Sequence, residues 1–101
     1  MSITSQATSD GSQIDIKVHG RFDFRQHDAF RQAYAPAPGA GGCYLVDLGN
    51  TEYIDSSALG MLLMLHDRAN QAGATVSVCN CAAAVRRVLE IANIDKIIEV
   101  R

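Results

Sequence analysis

Three neighbouring residues, Asp55, Ser56 and Ser57, carry the side chains of this 101-residue chain best placed to do chemistry. They stand between an apolar run, Cys43-Tyr44-Leu45-Val46-Asp47-Leu48, and a helical pattern that starts at Ser56 and stops at Gln71, just before Gly73. A loop entering a helix leaves backbone amides without partners, so Asp55 or Ser56 can serve there as the N-cap. The helix itself suggests a further use. At about 100° per residue, Ala58, Leu62, Leu65, Ala69 and Ala72 form one apolar stripe, flanked by Leu59 and Met61. The other side begins with Ser56, Ser57, Gly60 and Met64 before it turns to Asp67, Arg68 and Gln71. Two hydroxyls, a bare stretch of backbone and an adaptable thioether make a surface suited to contact with another molecule. A glycine within a helix costs about 1 kcal/mol relative to alanine, a cost that close approach of a partner to Gly60 would offset.

Catalysis is less well supported. Ser56 lacks the Gly-x-Ser-x-Gly turn that exposes a hydrolase nucleophile, and His19, His27 and His66 show no spacing that marks one of them as its base. Cys43, Cys79 and Cys81 lack paired metal-ligand spacing. Cys81, close to a helix start, is either a thiol of lowered pKa or a small space-filling residue. Arg86, Arg87 and Glu90 fall on one solvated helix face. No cofactor is expected, and the chain reads as a binding protein rather than an enzyme.

Composition narrows the partners. Nine Lys and Arg against eleven Asp and Glu give a net charge of -2, which leaves no cationic excess for nucleic acid. The longest apolar run, 58–65, falls far short of the roughly 20 residues that span a bilayer. The N-terminus lacks the basic and apolar blocks of a secretory leader, so a cytoplasmic location is expected, where cysteines stay reduced.

The elements that position Ser56 follow from hydrophobic period. Residues 1–12 form a polar lead-in ending in the Asp10-Gly11 turn. Ile14 to Val18 alternates as a strand, and Arg21-Phe22-Asp23-Phe24 reads as a second strand antiparallel to it. His27 to Tyr34 has helical spacing and stops at the loop Pro36 to Gly42. Cys43 to Leu48 reads as a central strand buried on both faces. Ala74 to Val78 is a strand, residues 81–92 a helix and Lys96 to Val100 a last strand. The expected fold is a single α/β domain over residues 1–101. It has a mixed sheet opened by an antiparallel hairpin and helices in right-handed βα crossovers.

Asp55-Ser56-Ser57-Ala58-Leu59-Gly60, after a strand that contains Asp47, resembles the Asp-Ser-Ser-Gly-Leu-Gly signature of the STAS domain found in anti-sigma factor antagonists. The likeness runs from Ile14 through Gly20-Arg21-Phe22-Asp23, Gly73, Val76 to Cys79, Val85-Arg86-Arg87-Val88 and Ile94-Asp95-Lys96-Ile97-Ile98. It implies a phosphorylatable serine, the first of the pair, Ser56, with Ser57 as the alternative. It also implies a partner anti-sigma factor that is a serine kinase and binds the unmodified form, and a serine phosphatase that restores it. Asp23 resembles the family's loop aspartate near that serine, and as a plain reading it is a turn residue. With Asp23, the residues Asp55, Ser57, Gly60 and Met64 are expected to border the partner. The other reading is a constitutive STAS-like subunit of a larger complex, such as a lipid-transport assembly, with Ser56 only a cap. Ala58 replaces the family's glycine and is expected to enlarge the surface beside Ser56. Many relatives add a helix after the last strand; its absence here implies either that it is dispensable or that self-association covers the exposed face.

Overall fold

A computed structural model of the chain describes residues 2–101. Six strands and three α-helices follow one another as β1 (Ser2–Ala7), β2 (Gln13–Phe22), α1 (His27–Tyr34), β3 (Cys43–Asp47), β4 (Thr51–Ile54), α2 (Ser56–Gln71), β5 (Thr75–Cys79), α3 (Ala83–Ile91) and β6 (Glu99–Val100). The sheet order is β1-β2-β3-β5-β6, with β1 antiparallel to β2 and every other pairing parallel. This is the expected mixed α/β fold, in which β3 lies at the centre.

The opening hairpin is built from other residues than their periodicity suggests. The strand Ser2–Ala7 falls within the supposed polar lead-in and pairs with β2 from Ser2 opposite His19 to Ala7 opposite Ile14. Its turn is tied by Asp10, whose Oδ1 accepts from the Ser12 amide at 3.0 Å and from the hydroxyls of Thr8 and Ser12. These bonds hold the Asp10 carboxyl down to about pKa 2, the Ser12 amide contributing most.

Residues 14–18 and 21–24 do not form two antiparallel strands, because β2 runs unbroken to Phe22. Gly20, at a φ of 84°, accompanies a register shift that bends the strand instead of reversing it. The bend lets β2 change partners. Gln13 to Lys17 pair with β3, while Gly20 to Phe22 pair with β4, which continues the path of β3 after the turn at Gly49-Asn50.

Ile14, Ile16 and Val18 of β2, Tyr44 and Val46 of β3, and Val76 and Val78 of β5 share one sheet face and are buried. Phe30, Leu62, Leu65, Val85 and Leu89 from the three helices complete the same core. Cys43, Leu45 and Asp47 on the other face of β3 are only half-buried, so β3 is not enclosed on both faces. The helices gather on one side of the sheet. The aromatic series Phe22, Phe30, Tyr34 and Tyr44, with neighbouring ring centroids 5.0, 5.6 and 6.4 Å apart, fastens α1 to it. The Tyr44 hydroxyl donates to the Tyr34 carbonyl at 2.9 Å.

The apolar stripe of α2 is as its spacing requires: Ala58, Met61, Leu62, Leu65 and Ala69 are buried. Gly73, at a φ of 71°, ends the helix, and the Ala74 amide closes back on the Ala69 carbonyl at 2.8 Å. The final segment is shorter than its apolar pattern implies. Asn93 adopts a left-handed conformation, a 3₁₀ turn occupies Ile94–Lys96, and only Glu99–Val100 pairs with β5.

Candidate functional site

The ends of β2 and β4 bring two loops together at the start of α2. Phe22 is the strand partner of Ile54, and the Asp55 amide donates to the Phe22 carbonyl at 3.4 Å. The chain leaving β2 therefore begins at Asp23, beside the point where α2 begins at Ser56. At the far ends of the two helices, Arg68 donates to the Ala35 carbonyl at 2.8 Å, so α1 lies alongside α2.

Asp55 is the cap. Its backbone is extended and its Oδ1 accepts from the Ala58 amide at 3.0 Å. Ser56, the first helical residue, is exposed, and among the described residues its side chain makes no hydrogen bond. Ser57 is half-buried, Gly60 is exposed, and Met64 keeps 51% of its surface in solvent. A β-carbon added at Gly60 would meet nothing within 4 Å, so nothing inside this chain requires glycine there.

Ala58 corrects one expectation. It is 0% exposed and belongs to the core stripe, so its methyl group does not enlarge the surface around Ser56. Two residues along a helix from Ser56 means roughly 200° around it, and that direction is the sheet.

Asp23 is 9% exposed and caps a 3₁₀ turn, Phe24–Gln26. Its carboxylate accepts from the Arg25 amide at 3.0 Å and from the Arg25 guanidinium at 2.9 Å, with the Arg21 Nε 3.7 Å away. The hydrogen bonds from the Arg25 side chain lead in holding this carboxyl below the ordinary range. Gln26 reciprocates by accepting from the Asp23 amide at 3.0 Å. The turn is thereby closed on itself, and both Asp23 oxygens are engaged within the chain.

The strand expected over Arg21-Phe22-Asp23-Phe24 puts Phe24 on the same face as the buried Phe22, which conceals it. It stands instead on the 3₁₀ turn, 68% exposed, with its ring centroid 5.6 Å from that of His27. Tyr53 is exposed as well, with the Arg21 guanidinium 4.1 Å above its ring centroid. An exposed phenylalanine next to a tightly bonded turn is the signal that a propensity pattern conceals.

The cysteines form no second site. Burial pushes up the thiol pKa of both Cys79 and Cys81, opposing the activation that a helix start could give Cys81. Among the described residues, no cluster of His, Cys, Asp and Glu is fit to hold a metal, and no helix is long and apolar enough to cross a membrane.

Comparison with known proteins places this geometry in a family. A family model described as "Mlab, STAS domain" matches residues 5–99. The chain is 43% identical over 100 residues to the STAS-domain containing protein PA14_20770 of Pseudomonas aeruginosa, covering 99% of each. It is 28% identical over 87 residues to an anti-sigma F factor antagonist of Paenibacillus polymyxa, covering 84% of this chain and 74% of that one. In fold it matches the anti-sigma factor antagonist SpoIIAA, solved in its unphosphorylated form, with a TM-score of 0.69 at 14% identity, covering 95% of this chain and 97% of the other. With an exposed serine at the first turn of α2, and with a family match and a close relative that both span nearly its whole length, the chain belongs to the STAS domain family.

Proposed function

We propose that this chain is a phosphorylation-controlled protein-binding module of the anti-sigma factor antagonist type, in which Ser56 is the modified residue. It binds an anti-sigma factor that is also a serine kinase while Ser56 is free and releases it when Ser56 carries phosphate; a serine phosphatase resets the switch. The observation that carries this reading is the division of labour at the start of α2. Asp55 satisfies the Ala58 amide, so the Ser56 hydroxyl, exposed to solvent, is bonded to none of the described residues.

Electrostatics makes the site tolerant of the modification and the surface intolerant of it. A phosphoserine carries about -1.5 to -2 charges at neutral pH. At the first turn of a helix this anion meets unpaired amides and the positive end of the dipole, which favour it. A partner seated over Ser56, Gly60 and Met64 would have to desolvate the same charge, which opposes docking. Phe24, exposed on the turn that follows β2, extends the surface that such a partner meets.

The test is to incubate the chain with a cognate anti-sigma factor kinase and MgATP and to locate the modification by mass spectrometry. A single phosphoryl group on Ser56 with loss of binding is expected; binding unaffected by modification of Ser56 overturns the switch. A constitutive subunit of a larger assembly would show that second outcome.

A further inference from the structure

We propose that β1 is a self-pairing edge, through which two copies of this chain join their sheets antiparallel about a two-fold axis at Ser5. β1 is the first strand of the sheet, paired on one side to β2 and, among the described residues, unpaired on the other. The Thr8 amide donates to the Gln13 carbonyl at 2.9 Å, and bonding alternates along an antiparallel pair. Gln6, Thr4 and Ser2 therefore spend their backbone groups on β2, while Ile3, Ser5 and Ala7 direct theirs outward. The other edge of β2 agrees: Cys43 donates to the Ser12 carbonyl at 2.9 Å, which turns the even-numbered residues of β2 toward β3 and its odd-numbered ones toward β1.

Edges of this length are ordinarily blunted by a lysine, a proline, a bulge or a covering segment. β1 reads Ser-Ile-Thr-Ser-Gln-Ala, without charge or proline, and its register with β2 is unbroken over its whole length. The flank toward α1 is equally neutral, while on the other sheet face the oppositely charged Asp15 and Lys17 of β2 lie behind Thr4 and Gln6. Ile3 and Ser5 line an open groove with Ala29, Gln32 and Ala33 of α1, and the charged Asp28 and Arg31 of that helix lie outside it.

A second copy is the occupant that this neutral, self-complementary edge suits, since a two-fold contact sets the same patch against itself and here opposes no like charges. Placing Ser5 opposite Ser5 of the second copy sets each Ile3 opposite an Ala7. All three pairs are of the type that exchanges two N–H···O bonds. On the other sheet face, Thr4 meets Gln6. Ser56, Gly60 and Met64 are not part of the groove, so this pairing draws on none of the residues of the proposed switch.

The experiment is sedimentation velocity on the full chain from micromolar to near-millimolar concentration, with Ser5→Lys and Ser5→Glu as variants. Ser5 is exposed, so both should keep the monomer fold, which circular dichroism checks. The wild type should dimerise, and each variant alone should dimerise at least about tenfold more weakly, because like charges would meet on the axis. An equimolar mixture of the two should associate again. A wild type that stays monomeric throughout overturns the proposal and leaves the edge to a strand of another protein. A dimer that Ser5→Lys does not weaken also overturns it, by placing the contact elsewhere.

Discussion

Asp55 and Ser56 divide the two tasks that a helix start can give a polar residue: Asp55 holds the Ala58 amide at 3.0 Å, and the Ser56 side chain beside it bonds to none of the described residues. Asp55→Ala should therefore lower stability by about 0.5 to 2 kcal/mol, the usual cost of losing a cap, while Ser56→Ala should change it by only a few tenths. Chemical denaturation of the two variants measures both. An equal loss would mean that the hydroxyl shares the cap.

Binding should rank the Ser56 variants differently from stability. Ser56→Ala presents a small neutral surface like the unmodified serine and should bind the anti-sigma partner, locked in that state. Ser56→Asp is favoured by the helix dipole and should fold at least as well, yet bind poorly, with its single charge imitating phosphate only in part. Titration calorimetry on both, with Ser57→Ala as control, checks this ranking. Phosphate incorporation lost only in Ser57→Ala would move the switch to Ser57.

Gly60 and Met64 should separate folding from recognition. Gly60→Ala adds a methyl group that meets nothing in the chain, so it should stabilise α2 by roughly 0.8 to 1 kcal/mol. It should weaken partner binding if the partner approaches that backbone. Met64→Lys should cost at least about 1 kcal/mol of affinity with an almost unchanged melting temperature. Unaltered affinity in both variants would remove this face from the interface.

Two carboxylates should make the hairpin and the site loop sensitive to acid. Asp10 and Asp23 both titrate below the ordinary carboxylate range in the folded chain, Asp10 at about 2. A depressed folded pKa contributes stability that is fully present above the unfolded value, near pH 4. It is lost as the pH falls through the folded value. Carboxyl carbon shifts in an NMR titration should show the Asp10 midpoint at about pH 2 and that of Asp23 below the ordinary value. Asp10→Asn should flatten the part of the acid unfolding curve between pH 4 and 2.

Asp23→Asn tests whether its role is structural. Its oxygens already serve the Arg25 amide and guanidinium, so this variant should loosen the 3₁₀ turn, increasing amide exchange at Arg25. Slower phosphorylation with unaltered exchange at Arg25 would instead assign Asp23 to the kinase encounter.

By itself, the sequence determined the elements whose burial pattern is strong and local. The stripe of α2 from Ala58 to Ala69, the alternation of Ile14 to Val18 and the stop at Gly73 each follow from one period or one backbone preference, and so does the placing of Ser56 at a helix start. Tertiary structure decided what depends on neighbours far along the chain. Ser2–Ala7 has almost no apolar face of its own and is a strand because β2 offers it an edge. Gly20 bends β2 between its two alternating runs instead of reversing it, because β4 lies beyond it to pair with Phe22. Which of Asp55 and Ser56 caps α2 and that Phe24 is left in solvent both depend on how the end of β2 meets the start of α2. Such a meeting involves residues some thirty positions apart, and no local period in the chain records it.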